Sequence, residues 1–125
     1  MSQFNDNGYK SFEADETIAI YSRVKLDSDG KITTAGLTDK GIGVASRAAV
    51  AGDVIAVKLN SASGTFKMIA SEALAAGATV YSEASGKVQD TAQATAFQVG
   101  VAMEAATADG DVIEVMPQIG DTAAS

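Results

Sequence analysis

The sequence has no cysteine, no histidine and no tryptophan, and only one proline. Without cysteine there is no disulfide, no thiolate nucleophile and no cysteine-ligated metal. Without histidine the usual general base near neutral pH and the commonest metal ligand are both missing. A Ser-His-Asp triad, a His-ligated zinc and a His proton shuttle are therefore excluded. No catalytic residue, no metal and no cofactor is expected. Basic residues also run out along the chain. All nine Lys and Arg lie at or before Lys87, whereas Asp90, Glu104, Asp109, Asp111, Glu114 and Asp121 follow it. The net charge of −7 has the wrong sign for neutralising phosphates, which argues against a nucleic-acid partner. An anionic membrane surface would repel it too. No run approaches the roughly 18 apolar residues of a membrane-spanning helix. The opening MSQFNDNGYKSFEADE has neither a basic n-region nor an apolar h-region. The expectation is a protein made in the cytoplasm, with no membrane partner.

What remains is a chain of 125 residues, 46 % of them apolar, of a size that fits one domain with one modest core. Much of it is written twice. GVASRAAVAGDVIAVKL from Gly43 to Leu59 returns as GVAMEAATADGDVIEVMP from Gly100 to Pro117. The match extends N-terminally. Val24 corresponds to Val80, and Gly30-Lys31-Ile32 to Gly86-Lys87-Val88, at an offset of 56; the offset is 57 at Gly43/Gly100 and 58 at Asp53/Asp111. Two single-residue insertions belong in loops, which places the strands between them. Two copies make a duplication, not a solenoid array.

Each copy reads as short β-strands. Arg23–Leu26 and Thr79–Ser82 run into Asp29-Gly30 and Ser85-Gly86, residues that favour the φ > 0 turns of hairpins. Return strands follow, then Gly-Val-Ala, then a Gly-Asp turn that launches the most strongly patterned strand of each half. Ile55 and Val57, and in the second copy Ile113 and Val115, alternate with more polar neighbours, the period of a half-buried antiparallel strand. These four are the predicted core, facing one another across the pseudo-twofold. Thr17–Tyr21 and Phe66–Ile69 read as further strands. Helix is scarce: SEALAAG at 71–77 has a Ser N-cap and a Gly stop and predicts a turn or two. The Ala-rich stretches 45–51 and 102–108, helical by propensity, read as turns because each is squeezed between a strand and a Gly-Asp launch. The predicted fold class is all-β, a small barrel or sandwich built from two duplicated halves that close on each other. The halves cover about 17–62 and 63–119, after an N-terminal arm at 1–16 and before a tail at 120–125.

Candidate sites mostly resolve into turns. Asp27-Ser28-Asp29-Gly30 starts like a calcium loop, but position 36 is Gly where a Glu would be needed, so a hairpin turn is the reading. Gly41-Ile42-Gly43 lacks the third Gly of a dinucleotide loop. Asp53 and Asp111 sit at repeated turn positions, which speaks against a catalytic pair. Lys31 and Lys87 each follow a hairpin Gly in a duplicated β unit, the arrangement of biotinyl and lipoyl carrier domains. A non-viral β-barrel binding or carrier module is thus an alternative, although neither Lys has the flanking residues of those domains. The arm holds Phe4, Tyr9 and Phe12 among polar residues. Exposed aromatics are costly and should dock on something. These three are the candidate interface residues, seated on their own barrel or on a neighbouring subunit.

The pattern LAAGxxVY…SGKV…GVAxEAA…GDxxxV, present from Leu74 to Val115, resembles the capsid cement, or head decoration, proteins of tailed bacteriophages. GIGVASRAAVAGDVIAVKLN in the first half fits the weaker N-terminal copy of that pattern. The resemblance covers about residues 17 to 119. It implies a β-rich structural virion protein on the outer surface of a phage head. Its partner would be the major capsid protein, whose subunits it would bridge, and it would act as a trimer or dimer. It carries over no catalytic residues.

Overall fold

The structure, a computed structural model, describes residues 8–120. Ten strands form two five-stranded antiparallel sheets. In the first half these are β1 (Tyr9–Glu13), β2 (Arg23–Leu26), β3 (Ile32–Thr34), β4 (Gly43–Ala45) and β5 (Val54–Leu59). The second half holds β6 (Phe66–Ile69), β7 (Thr79–Ser82), β8 (Val88–Gln89), β9 (Gln98–Ala102) and β10 (Val112–Pro117). The sheet orders β1-β5-β4-β2-β3 and β6-β10-β9-β7-β8 are the same order written twice. The all-β class, the duplication and the Gly-Asp launches agree with the sequence reading.

The duplication reaches further back than its sequence signal. Tyr9–Glu13, expected to be part of an arm outside the barrel, is strand β1 and pairs with β5 from Tyr9↔Lys58 to Glu13↔Val54. Its structural twin is β6, which pairs with β10. Phe12 lies opposite Ile55 and Met68 opposite Ile113. The sequence match fades there because a half-exposed edge strand asks only for alternation, not for particular residues.

Each sheet curls until its first strand meets its last. Ala14 bridges Ile32 in parallel, and Ala70 bridges Val88 in the same way. This makes two small barrels, each with its own core. Ile18, Val24, Ile32, Ile55 and Val57 fill the first. Phe66, Met68, Val80, Val88, Ile113 and Val115 fill the second. Ile55, Val57, Ile113 and Val115 are at most 2 % exposed, but the two pairs lie in separate clusters and do not face one another. A five-stranded sheet closed on itself leaves each half its own interior, so the halves need not complete each other. We expect Ile55→Ala and Ile113→Ala each to cost about 2–4 kcal/mol in denaturant melts. Because the cores are separate, the double variant should lose the sum to within about 0.5 kcal/mol. A strong deviation from additivity would mean a shared core.

Two expected elements are absent. Residues 71–77 form no helical turn; Leu74 instead makes an isolated bridge to Ala106, its N–H donating to the Ala106 carbonyl at 3.1 Å. Thr17–Tyr21 is not a strand either, and only Ile18 bridges, to Ala49. The two sites are twins, so one tertiary pairing overrides helix propensity in one copy and strand pattern in the other. Among the described residues, the one short helical element is a 3-10 turn at Ala84–Gly86.

The Gly-Asp launches are built alike. Gly52 and Gly110 have φ of +95° and +96°, a region that favours glycine. The Asp53 carboxylate accepts the Val50 N–H at 3.0 Å. The Asp111 carboxylate accepts the Thr107 N–H at 2.7 Å, the Thr107 hydroxyl at 2.8 Å and the Ala108 N–H at 3.2 Å. Those donors, the Thr107 N–H foremost, hold its pKa below the usual carboxylate value. Both acids are therefore turn residues.

Candidate functional site

The site-like geometry lies at the seam between the two barrels. Arg23, at the start of β2, is 3 % exposed, and its guanidinium donates to four backbone carbonyls. Two belong to its own half, Gly36 at 3.0 Å and Asp39 at 3.2 Å. Two belong to the other, Glu83 at 2.9 Å and Lys87 at 3.1 Å. Burial pushes its pKa down to about 10, against the pull of the nearby Asp39 and Glu83 carboxylates. The group is still charged at neutral pH. Beside it the Ser82 hydroxyl donates to the Leu37 carbonyl at 2.6 Å, and the Gly86 N–H to the Ala35 carbonyl at 2.9 Å. Val44 of the first half is buried in the second core.

One rim of the seam opens into a cleft of about 340 Å³ lined by Tyr9, Tyr21, Val44, Lys58, Phe66 and Lys67. It continues into a recess of about 590 Å³, where Glu104 and Glu114 join Tyr21, Phe66 and Lys67. The Lys58 ammonium lies 4.4 Å from the centre of the Phe66 ring, and Lys67 lies 5.7 Å from that of Tyr21. Lys58 also donates to the Thr65 carbonyl, and the Thr65 hydroxyl donates to Glu114 at 2.6 Å. Alternating cations, aromatic rings and carboxylates suit a docking surface.

The candidate interface aromatics part company here. Tyr9 is 44 % exposed and lines the cleft. Phe12 packs against the first core, so it belongs to its own barrel. Phe4 lies outside the described residues. Tyr21 and Arg23 were missed by the sequence reading, yet the duplication marks them. Tyr21 has φ of +67° and its twin Gly77 has φ of +87°. A Tyr where the sister copy has Gly signals a ring held in place at some backbone cost. Arg23 likewise stands where the second copy has Thr79.

Among the described residues, Asp15, Asp27 and Asp29 bring three carboxylates within 4.8 Å of one another. Asp27 already accepts the Asp29 N–H at 2.9 Å and the Lys31 N–H at 3.0 Å, which is the hairpin turn expected from the sequence. A hydrogen bond between the two carboxyls raises the pKa of Asp15 and lowers that of Asp27. The two carrier-type lysines are ion-paired, Lys31 with Glu13 at 3.3 Å and Lys87 with Asp109 at 2.7 Å.

A family model described as phage cement protein matches residues 36–117. The chain belongs to the phage cement protein family. It is thus a phage structural protein, which favours the structural reading over the carrier module. No curated protein matches the chain. Among solved structures it is similar to the N base of the head fiber gp8.5 of bacteriophage phi29. That likeness has 18 % identity over 88 % of this chain and 92 % of the other, with a TM-score of 0.73. At that identity it speaks for the two-barrel fold.

Proposed function

We propose that this cement protein binds the outer surface of the phage head and stabilises the shell by bridging adjacent major capsid subunits, as a trimer or dimer on a local symmetry axis. Membership of the cement family carries the reading. The seam cleft and the acidic second half support it, the first as a docking surface and the second as an outward face that keeps a crowded shell soluble. Binding only the assembled shell stabilises it by mass action, about 4 kcal/mol per site when free protein exceeds Kd a thousandfold. Several contacts per oligomer multiply that through effective concentration, raising avidity by roughly 10²–10⁴. Phe4 and Tyr9 form part of the grip, and Phe12 does not.

The test is decoration of heads that lack the protein, read by pelleting and by the temperature at which the heads rupture. The full chain is expected to pellet with heads and to raise that temperature. A chain without residues 1–7 that also carries Tyr9→Ser keeps β1 and both cores, and should bind heads at least tenfold more weakly. Equal decoration by the two chains would remove the aromatic N-terminus from the interface. No decoration by the full chain would overturn the capsid-binding reading.

A further inference from the structure

The seam joins two unlike surfaces, and each has a twin that, among the described residues, stays partly or largely exposed. From the first barrel come Ser22, Arg23 and Val44, which are 2 %, 3 % and 4 % exposed. Their twins on the second barrel, Ala78, Thr79 and Val101, are only half-buried. The correspondence is structural. Ser22 N–H donates to Ala19 O and Ala78 N–H to Ala75 O, while Ala45 N–H donates to Ser22 O and Ala102 N–H to Ala78 O. On the receiving side, Ser82 is fully buried and Gly86 is buried. Their twins on the first barrel are Leu26, which is 45 % exposed, and Gly30, beside which a side chain would meet nothing within 4 Å. The second barrel thus ends in an open copy of the plug, and the first in an open copy of the socket. Met116, the twin of Lys58, adds an apolar side chain 37 % exposed to the open plug.

We infer that the open plug of one chain docks into the open socket of another, so that the intramolecular seam continues head-to-tail between copies. This deepens the oligomer proposed above and rests on it. Charge points the same way. Residues 1–62 hold seven Lys and Arg against eight Asp and Glu, whereas residues 63–125 hold two against eight. A twofold contact through second barrels would set the most acidic surfaces against each other; a head-to-tail contact sets each against a nearly neutral one. The chemistry of the two seams is not identical. Thr79 in place of Arg23 and Leu26 in place of Ser82 exchange a buried polar anchor for apolar contact, as suits a joint that forms and dissociates between folded chains.

The absence of native cysteine makes the test clean. In the seam a Cβ on Gly86 would stand 2.9 Å from the Ser22 Cβ; the corresponding points between chains are Gly30 and Ala78. Single variants Asp29→Cys, next to Gly30, and Ala78→Cys are treated with a short bis-maleimide, alone and mixed. This is done in concentrated solution and on decorated heads. The mixture is expected to give a crosslinked species with one chain of each kind, and each variant alone to stay uncrosslinked. Met116→Glu should reduce the mixed product at least tenfold and leave the melting temperature unchanged. Homodimeric product from a single variant, or no mixed product in either preparation, overturns the head-to-tail joint. Pelleting of the variants with heads reports separately on capsid binding, so failure of one reading does not pass for failure of the other.

Discussion

Alanine at Gly43 or Gly100 is expected to cost about 3 kcal/mol, the upper end of the usual range for overpacking. Gly43 lies opposite Leu59 in the β4–β5 ladder and Gly100 opposite Pro117 in β9–β10. A Cβ at Gly43 would stand 2.2 Å from the Lys58 carbonyl oxygen, and one at Gly100 would stand 2.2 Å from that of Met116. The obstacle is backbone in the neighbouring strand, so no rotamer change relieves it. Relief requires moving β5 or β10, the strands that carry Ile55, Val57, Ile113 and Val115 into the cores. The ordinary benefit of alanine over glycine in the unfolded chain, about 0.4–1 kcal/mol, is too small to offset this. The expected signature in urea is a lower midpoint with little change of slope. Losses under about 0.5 kcal/mol at both positions would show that the strands yield more easily than such close packing allows.

These two glycines show what was legible in the sequence. Both begin the Gly-Val-Ala phrase that exposed the duplication, and the phrase persists because its small residues answer a steric demand met twice. Alternation in DVIAVKL and DVIEVMP marked β5 and β10 for a similar reason: one face of each is buried. The sequence did not disclose that each copy closes on itself. Closure depends on single parallel bridges at Ala14 and Ala70, and one alanine leaves no pattern. β1 was hidden because its half-exposed residues need no particular identity. The seam was hidden most thoroughly. Duplication makes the halves alike, while a plug and a socket must differ, so several of the residues that join them stand where the copies disagree: Tyr21 against Gly77, Arg23 against Thr79, Ser82 against Leu26. Comparison of the copies for difference, as well as for identity, would have pointed to them.

Arg23→Met is expected to separate the unfolding of the two halves. The arginine gives all its guanidinium hydrogen bonds to backbone carbonyls, two on each side of the seam. Burying the cation costs several kcal/mol, and the four charge-assisted bonds, each worth about 1.5–3 kcal/mol, offset that. Methionine fills much of the same volume but leaves the carbonyls of Gly36, Asp39, Glu83 and Lys87 without this donor. The loss should be about 3–5 kcal/mol, as when one partner of a buried charged network is removed. It falls on the joint and not on either core. Each barrel keeps its own cluster, so the parent chain is expected to melt in a single transition and the variant in a broadened or split one, with a smaller apparent slope in denaturant. Arg23→Lys should recover only part of the loss, because an ammonium lacks the planar fork that reaches both sides at once. A variant carrying methionine that still unfolds in one transition, within about 1 kcal/mol of the parent, would mean that Val44, Gly86 and the Ser82 hydroxyl hold the seam without it.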